Sequence, residues 1–231
     1  MKKLFLALSL VTCCAVQEID AMLKNRIFPL LQSYKQIQKR FYQQEITKFW
    51  LARHGETDWN IESHERVLSS TDIPLNENGK KQALELKKAL QHIDFNICFS
   101  SNLVRASETA QLVVGDRVIC GIYLDARLRA RNAGKFEGQP LTDYRVVLAG
   151  NLPEEMGVET EESVEKRVFD FLQDMVDNHA GKNILMITHG GILNAIRNEM
   201  FLFKYGRPLG PRKFKNAEVM QLFFNGDSWF M

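Results

Sequence analysis

From Ile46 onward, short unbroken apolar runs alternate with longer stretches in which apolar residues recur every three or four positions. The runs are Phe49–Ala52, Ile97–Phe99, Val118–Leu124 and Ile184–Ile187. They predict strands buried on both faces. Three stretches between them have helical period. Lys80–His92 carries Ala83, Leu84, Leu86 and Leu90, continued by Ile93; Ser101–Val114 carries Leu103, Ala106, Ala110 and Val113; Glu161–Asn178 carries Val164, Val168, Phe171, Leu172 and Met175. Asn78-Gly79 predicts a break ahead of the first helix, Gly190-Gly191 opens a fourth, and Val219–Phe224 reads as a final strand. Such alternation predicts an α/β fold, a three-layer α/β/α sandwich with a mainly parallel central sheet. In sheets of that kind chemistry gathers at the carboxyl ends of the strands.

The first 45 residues follow a different pattern. Lys2 and Lys3 precede the apolar run Leu4–Val11, and the small residues Cys13-Cys14-Ala15 follow it. This basic–apolar–small order predicts an export signal over residues 1–15, and so a periplasmic or secreted protein. The run is shorter than the ~20 residues a membrane-crossing helix needs, so no integral membrane span is expected. Thr12 before Cys13 departs from a lipobox. Residues 16–45 read as a helical appendage, with Leu30, Tyr34, Ile37 and Phe41 on one face after Pro29, and Lys35, Lys39 and Arg40 on the other. Its stripe is expected to pack on its own protein, and residues 46–231 to form one domain. A chain of 231 residues suffices for that arrangement.

Composition narrows the classes further. The hydrophobic share of 45% and charged share of 25% are those of a globular protein and exclude extensive disorder. A net charge of +2 gives no global attraction to nucleic acid, so no nucleic-acid partner is expected. Cys98 and Cys120 fall in strand-like runs and read as buried thiols. The chain has no His-Glu-x-x-His and no cysteine cluster with metal-ligand spacing, so neither a metal nor another cofactor is expected.

Two predicted strand ends carry chemistry. Arg53-His54-Gly55-Glu56-Thr57, with Asn60 beyond, follows the first strand, and Thr188-His189-Gly190-Gly191 follows the fourth. Either histidine alone would read as a satisfied loop residue. Two of them at strand ends of one parallel sheet, with Arg53 adjacent and glycines allowing close backbone approach, read as a site. A third element, Ser100-Ser101-Asn102-Leu103-Val104-Arg105-Ala106, runs from the second strand into a helix. Arg105 in its first turns can fork onto phosphate oxygens, or else pair at the surface with Glu108.

Together these segments resemble the histidine phosphatase superfamily, which includes phosphoglycerate mutases and many phosphatases. Arg53-His54-Gly55-Glu56-Thr57 with Asn60 matches its nucleophile loop. Asp72, Pro74-Leu75, Gly79 and Gln82-Ala83 match the segment after it. Arg105-Ala106 with Glu108-Thr109-Ala110, the turn Glu137-Gly138, and His189-Gly190-Gly191 complete the pattern from about residue 47 to the C-terminus. The resemblance implies the phosphoglycerate mutase-like fold and phosphoryl transfer through a phosphohistidine on His54. His189 is then the second catalytic histidine, and Arg53, Asn60, Arg105, Arg131 and Gly190 bind substrate. The implied substrate is a phosphorylated small molecule or phosphoprotein, as a phosphate monoester or phosphoramidate. One departure stands out: Leu128-Arg129-Ala130-Arg131 places Ala130 where most members carry the acid Glu. Glu56 and Glu159 are candidate replacements. An undemanding leaving group, or a catalytically impaired phospho-ligand-binding protein, are the other readings of Ala130. Arg127 and Arg129 read as a solvated edge. The segment between Gly138 and Glu161 looks too short for a mutase lid, which makes mutase activity the alternative to phosphatase activity.

Overall fold

The computed structural model describes residues 46–61, 65–115, 121–142, 154–207 and 209–231. The expected export signal and helical appendage, Cys120, and the start of the run Val118–Leu124 lie outside the described residues.

Six strands form one sheet in the order β3-β2-β4-β1-β5-β6. They are β1 (Thr47–Arg53), β2 (Ile97–Ser100), β3 (Ile122–Leu124), β4 (Asn183–Thr188), β5 (Val219–Phe224) and β6 (Trp229–Phe230). β1 to β4 pair in parallel, whereas β5 runs antiparallel to β1 and β6 antiparallel to β5. The short strand β6 is beyond what the apolar runs indicate: it is two residues long, held by pairing to Phe223 and Phe224.

Among the described residues, four α-helices cover the sheet: α1 (Glu77–Ala89), α2 (Val104–Val114), α3 (Glu161–Asn178) and α4 (Gly190–Tyr205). Side-chain alternation along the strands divides the core in two. Phe49, Leu51, Ile184 and Met186 pack with Val168, Phe171 and Leu172 of α3 and with Ile192 and Ile196 of α4. Trp50, Ala52, Leu185 and Ile187 point the other way, against Ala83 and Leu86 of α1 and Ala106, Ala110 and Val113 of α2. Both strand faces are therefore apolar, which is why β1 and β4 read as continuous hydrophobic runs.

Caps define the helix ends. Asn76 accepts from Gly79 N–H at 2.8 Å, and Thr160 accepts from Ser163 N–H at 3.1 Å. Gly206, at φ 69°, closes α4 in the left-handed region. Helix α1 thus begins at Glu77, ahead of the break expected at Asn78-Gly79. Gly79 serves a different purpose there: a Cβ on it would lie 2.1 Å from Glu56 O, and one on Gly55 would lie 2.5 Å from Gly79 O. The two glycines let the loop after β1 press onto the first turn of α1. Helix α2 begins at Val104, later than its apolar periodicity indicates, because Ser101 bonds in the link from β2 and Asp72 caps Val104 N–H at 2.6 Å.

Candidate active site

β4 lies between β2 and β1, and all three strands end at the same edge. Register pairs Arg53 with Thr188 and Ser100 with Ile187, so the next residues, His54, His189 and Ser101, leave the sheet side by side. His54 and His189 are each 3% exposed, with ring centroids 5.1 Å apart.

Backbone contacts fix the loop that carries His54. Gly55 N–H donates to Thr109 Oγ1 at 3.0 Å, and Glu56 N–H donates to Gln82 Oε1 at 2.9 Å. His54 Nδ1 lies 2.7 Å from Gly55 O. A carbonyl can only accept, so Nδ1 carries the proton and Nε2 keeps its lone pair. Burial, then the charges of Arg105 and Arg53, hold the His54 imidazole well below its usual range. The same causes, burial first and then Arg105, act on His189. Both rings are neutral at pH 7.

Arg105 is fully buried, which removes the surface reading, and Glu108 instead accepts from Leu75 N–H at 2.8 Å. Its terminal nitrogens donate to Thr71 O at 2.8 Å and Ser69 O at 2.7 Å, while Nε has no hydrogen-bond partner among the described residues. Burial pulls this guanidinium down to about 10, still charged at neutral pH. Arg105 thus pins the 69–71 loop as well as placing charge beside the histidines. Ser69 sits at φ 43°, its hydroxyl 2.5 Å from Arg131 O and 3.0 Å from Glu137 Oε1. Glu137, in the turn the sequence singles out, also accepts from Ser70 N–H and Thr71 Oγ1.

A cleft of about 270 Å³ opens beside this edge, its walls including Arg53, Asn60, Ala130, Arg131 and Gly190. Arg53 donates through NH1 to Phe214 O at 2.7 Å. The amide oxygen of Asn60 is taken up by Thr57 and Asn216, leaving its NH2 group to donate. Arg131 donates through Nε to Glu159 O at 2.5 Å. Gly190 is the first residue of α4, where helix N–H groups lack intrahelical acceptors. A Cβ on Gly190 would be 3.6 Å from Arg53 Cδ, an ordinary contact, and Gly191 has nothing within 4 Å, so close approach is required at Gly55 and not at this pair. Arg127 is tied to Asp125 and Asp174, as a charged edge would be.

Both candidate replacements for the acid Glu are engaged in hydrogen bonds. Burial, the largest single influence, opposes ionisation of Glu159, yet hydrogen bonds from Arg167 at 2.7 and 3.0 Å, from Asn132 N–H and from Ser163, with the Arg167 charge, together draw the carboxyl below its usual range. Glu56 accepts from Asn76 Nδ2 at 3.0 Å, on the α1 side of the loop. Ala130 lies between the cleft and a second hollow of about 480 Å³, and contributes only a methyl group to either.

Several cleft residues lack a motif of their own. Trp59, Glu65, Arg66, Arg212, Lys213 and Phe214 complete much of its wall. Lys213 Nζ lies 3.1 Å from Glu65 Oε1, and Arg212 pairs with Glu218. Asn216 donates to His54 O at 3.2 Å, and Ala217 N–H to Arg53 O at 3.1 Å. One signal for this segment does exist: a final strand antiparallel to β1 must begin where β1 ends.

A family model, the histidine phosphatase superfamily (branch 1), matches residues 49–231, and the chain belongs to that family. An uncharacterized phosphatase, PhoE of Bacillus subtilis, is 29% identical over 80% of this chain and 92% of its own length. A metal-independent phosphoserine phosphatase of Arabidopsis thaliana is 27% identical over 81% of this chain and 80% of its own length. Among solved structures, YhfR of Bacillus stearothermophilus superposes with a TM-score of 0.68 at 30% identity, covering 80% of this chain and 94% of that one. The fold is the phosphoglycerate mutase-like three-layer sandwich that the strand–helix pattern predicts.

Proposed function

We propose that this histidine phosphatase works through a phosphohistidine on His54, hydrolysing a phosphorylated small molecule. The observation that carries the reading is the 2.7 Å contact of His54 Nδ1 with Gly55 O, which leaves a neutral Nε2 lone pair as nucleophile. Nε2 forms the bond to phosphorus as the bond to the leaving oxygen breaks. Water then attacks phosphorus, the N–P bond breaks, and inorganic phosphate leaves. Arg53, Arg105, His189, the Asn60 amide and the start of α4 supply positive charge and donors for the phosphoryl oxygens.

The cleft adds a statement about the substrate. Arg53, Arg66, Arg131, Arg212 and Lys213 face it, with Glu65 beside Lys213 and Glu218 beside Arg212 as carboxylate neighbours. That excess of positive charge favours a substrate with a second anionic group beyond the phosphate. Ala130 favours a leaving group that departs without a proton. Acid-quench trapping with labelled substrate tests the core of the proposal. Wild type is expected to carry acid-labile label, and His54→Ala to carry none and to lose turnover. Wild-type turnover in His54→Ala would remove His54 from the central role.

We further propose that residues 1–15 direct export. The support is the order of Lys2-Lys3, Leu4–Val11 and Cys13-Cys14-Ala15. Mass spectrometry of the protein from its native host should find a mature N-terminus near Val16; an intact Met1 in the cytosolic fraction would defeat it.

A further inference from the structure

Ser101 is fully buried at the end of β2, and the phosphohistidine reading gives it no part. Its Oγ lies 2.9 Å from His189 Nε2. The same oxygen accepts from Leu103 N–H at 3.3 Å, which occupies a lone pair and leaves the hydroxyl proton to donate. Nε2 is the acceptor within reach. Were Nε2 to carry the ring proton instead, the serine proton would face no acceptor in a buried site. A lone pair on Nε2 puts the ring proton on Nδ1. His189 Nδ1 is buried and has no hydrogen-bond partner among the described residues.

We propose that Ser101 is the positioning residue that sets the tautomer of His189, making it a neutral Nδ1–H donor to the phosphoryl group on its way to His54. The phosphoryl part of this inference rests on the phosphohistidine reading; the tautomer does not. The charged groups around His189 suit a neutral ring. Arg105 from α2, Arg53 at the end of β1 and Arg167 from α3 are cations, and His54 is the remaining titratable neighbour. A protonated His189 would be repelled on three sides, so what His189 offers an anion is one directed N–H.

The test uses the full chain labelled with ¹⁵N-histidine, His189 being assigned by comparison with His189→Gln. At pH 7.5 the wild-type ring is expected to be neutral with the proton on Nδ1. Ser101→Ala should shift protonation toward Nε2 and lower kcat for nitrophenyl phosphate about 10-fold or more, with a smaller change in KM. Ser101→Thr, which keeps the hydroxyl, should restore both tautomer and kcat. Wild type protonated on Nε2 would overturn the proposal, and that spectrum decides even if Ser101→Ala does not fold. Unchanged tautomer and unchanged kcat in a folded Ser101→Ala would also overturn it. If the tautomer responds as expected but no phosphoenzyme can be trapped, the positioning role stands and the phosphohistidine reading fails.

Discussion

At the scale of single residues, Ala130 bears on which leaving groups the proposed hydrolysis accepts. A methyl group cannot protonate a departing alkoxide, and hydrogen bonds from Arg167 and Asn132 draw Glu159 toward its ionised form. Nitrophenyl phosphate, whose anion leaves readily, should therefore turn over much faster than alkyl phosphates. Ala130→Glu should raise the alkyl rates selectively, by roughly 10-fold or more. Arg131 beside the new carboxyl favours its ionised form and limits the gain. The measurement is log rate against leaving-group pKa for both proteins, and a flat wild-type plot limited by chemistry would show that another group donates. Arg105 acts at the same scale. Arg105→Ala removes charge from beside both histidines and takes the Arg105 donor from buried Ser69 O, while Thr71 O keeps Ile73 N–H. A buried group stranded in this way costs about 1–3 kcal/mol. The variant should lose thermal stability and bind vanadate more weakly; unchanged melting and unchanged inhibition would refute both roles.

At the scale of elements, the site depends on the packing of the loop after β1 against α1. Gly79→Ala would raise intrinsic helix propensity by about 1 kcal/mol. The added Cβ, however, would sit 2.1 Å from Glu56 O and 2.7 Å from Glu56 N, both backbone atoms that the nucleophile loop cannot move freely. Overpacking of this kind costs about 1–3 kcal/mol, so the contact should outweigh the propensity. Gly79→Ala is expected to lower the melting temperature and, by displacing the loop, to lower kcat. A more stable Gly79→Ala would mean that the loop and helix can part without cost. Apolar spacing locates α1 but not its start, because Asn78-Gly79 has the composition of a turn. Only the approach of Glu56 shows why a glycine stands inside the first turn.

At the scale of the whole molecule, burying two neutral histidines ties stability to pH. Burial, then Arg105, depresses both in the folded state, while the unfolded chain titrates near 6.5. Below pH 6.5 the unfolded state therefore binds more protons, by up to about one for each histidine, and stability falls with pH. The stabilisation is full above pH 6.5 and is lost as the solution is acidified. Urea unfolding at pH 7.5 and 5.0 should show the loss, and a His54→Gln, His189→Gln double variant should show less of it. Equal slopes in the two proteins would place the sensitivity elsewhere. The double variant also lacks the proposed nucleophile, so the comparison rests on unfolding alone.

The sequence by itself determined the layer order and the strand-end location of the chemistry. Strands covered on both faces must be apolar at every position, and helices on one, so the two periods identify the elements without knowledge of the fold. Local motifs likewise put His54 and His189 at strand ends, because each follows an apolar strand directly. Tertiary structure decided what those motifs do not contain. The pairing of Ser101 with His189 joins positions 88 residues apart, and the 2.7 Å bond from Arg53 to Phe214 O spans 161. Neither pairing leaves a periodic trace, since each depends on which strands become neighbours in the sheet. The same holds for Glu159. Its type and position made it a plausible acid, but Arg167 reaching over from α3 favours its ionised form, a contact formed only when the helix packs on the sheet.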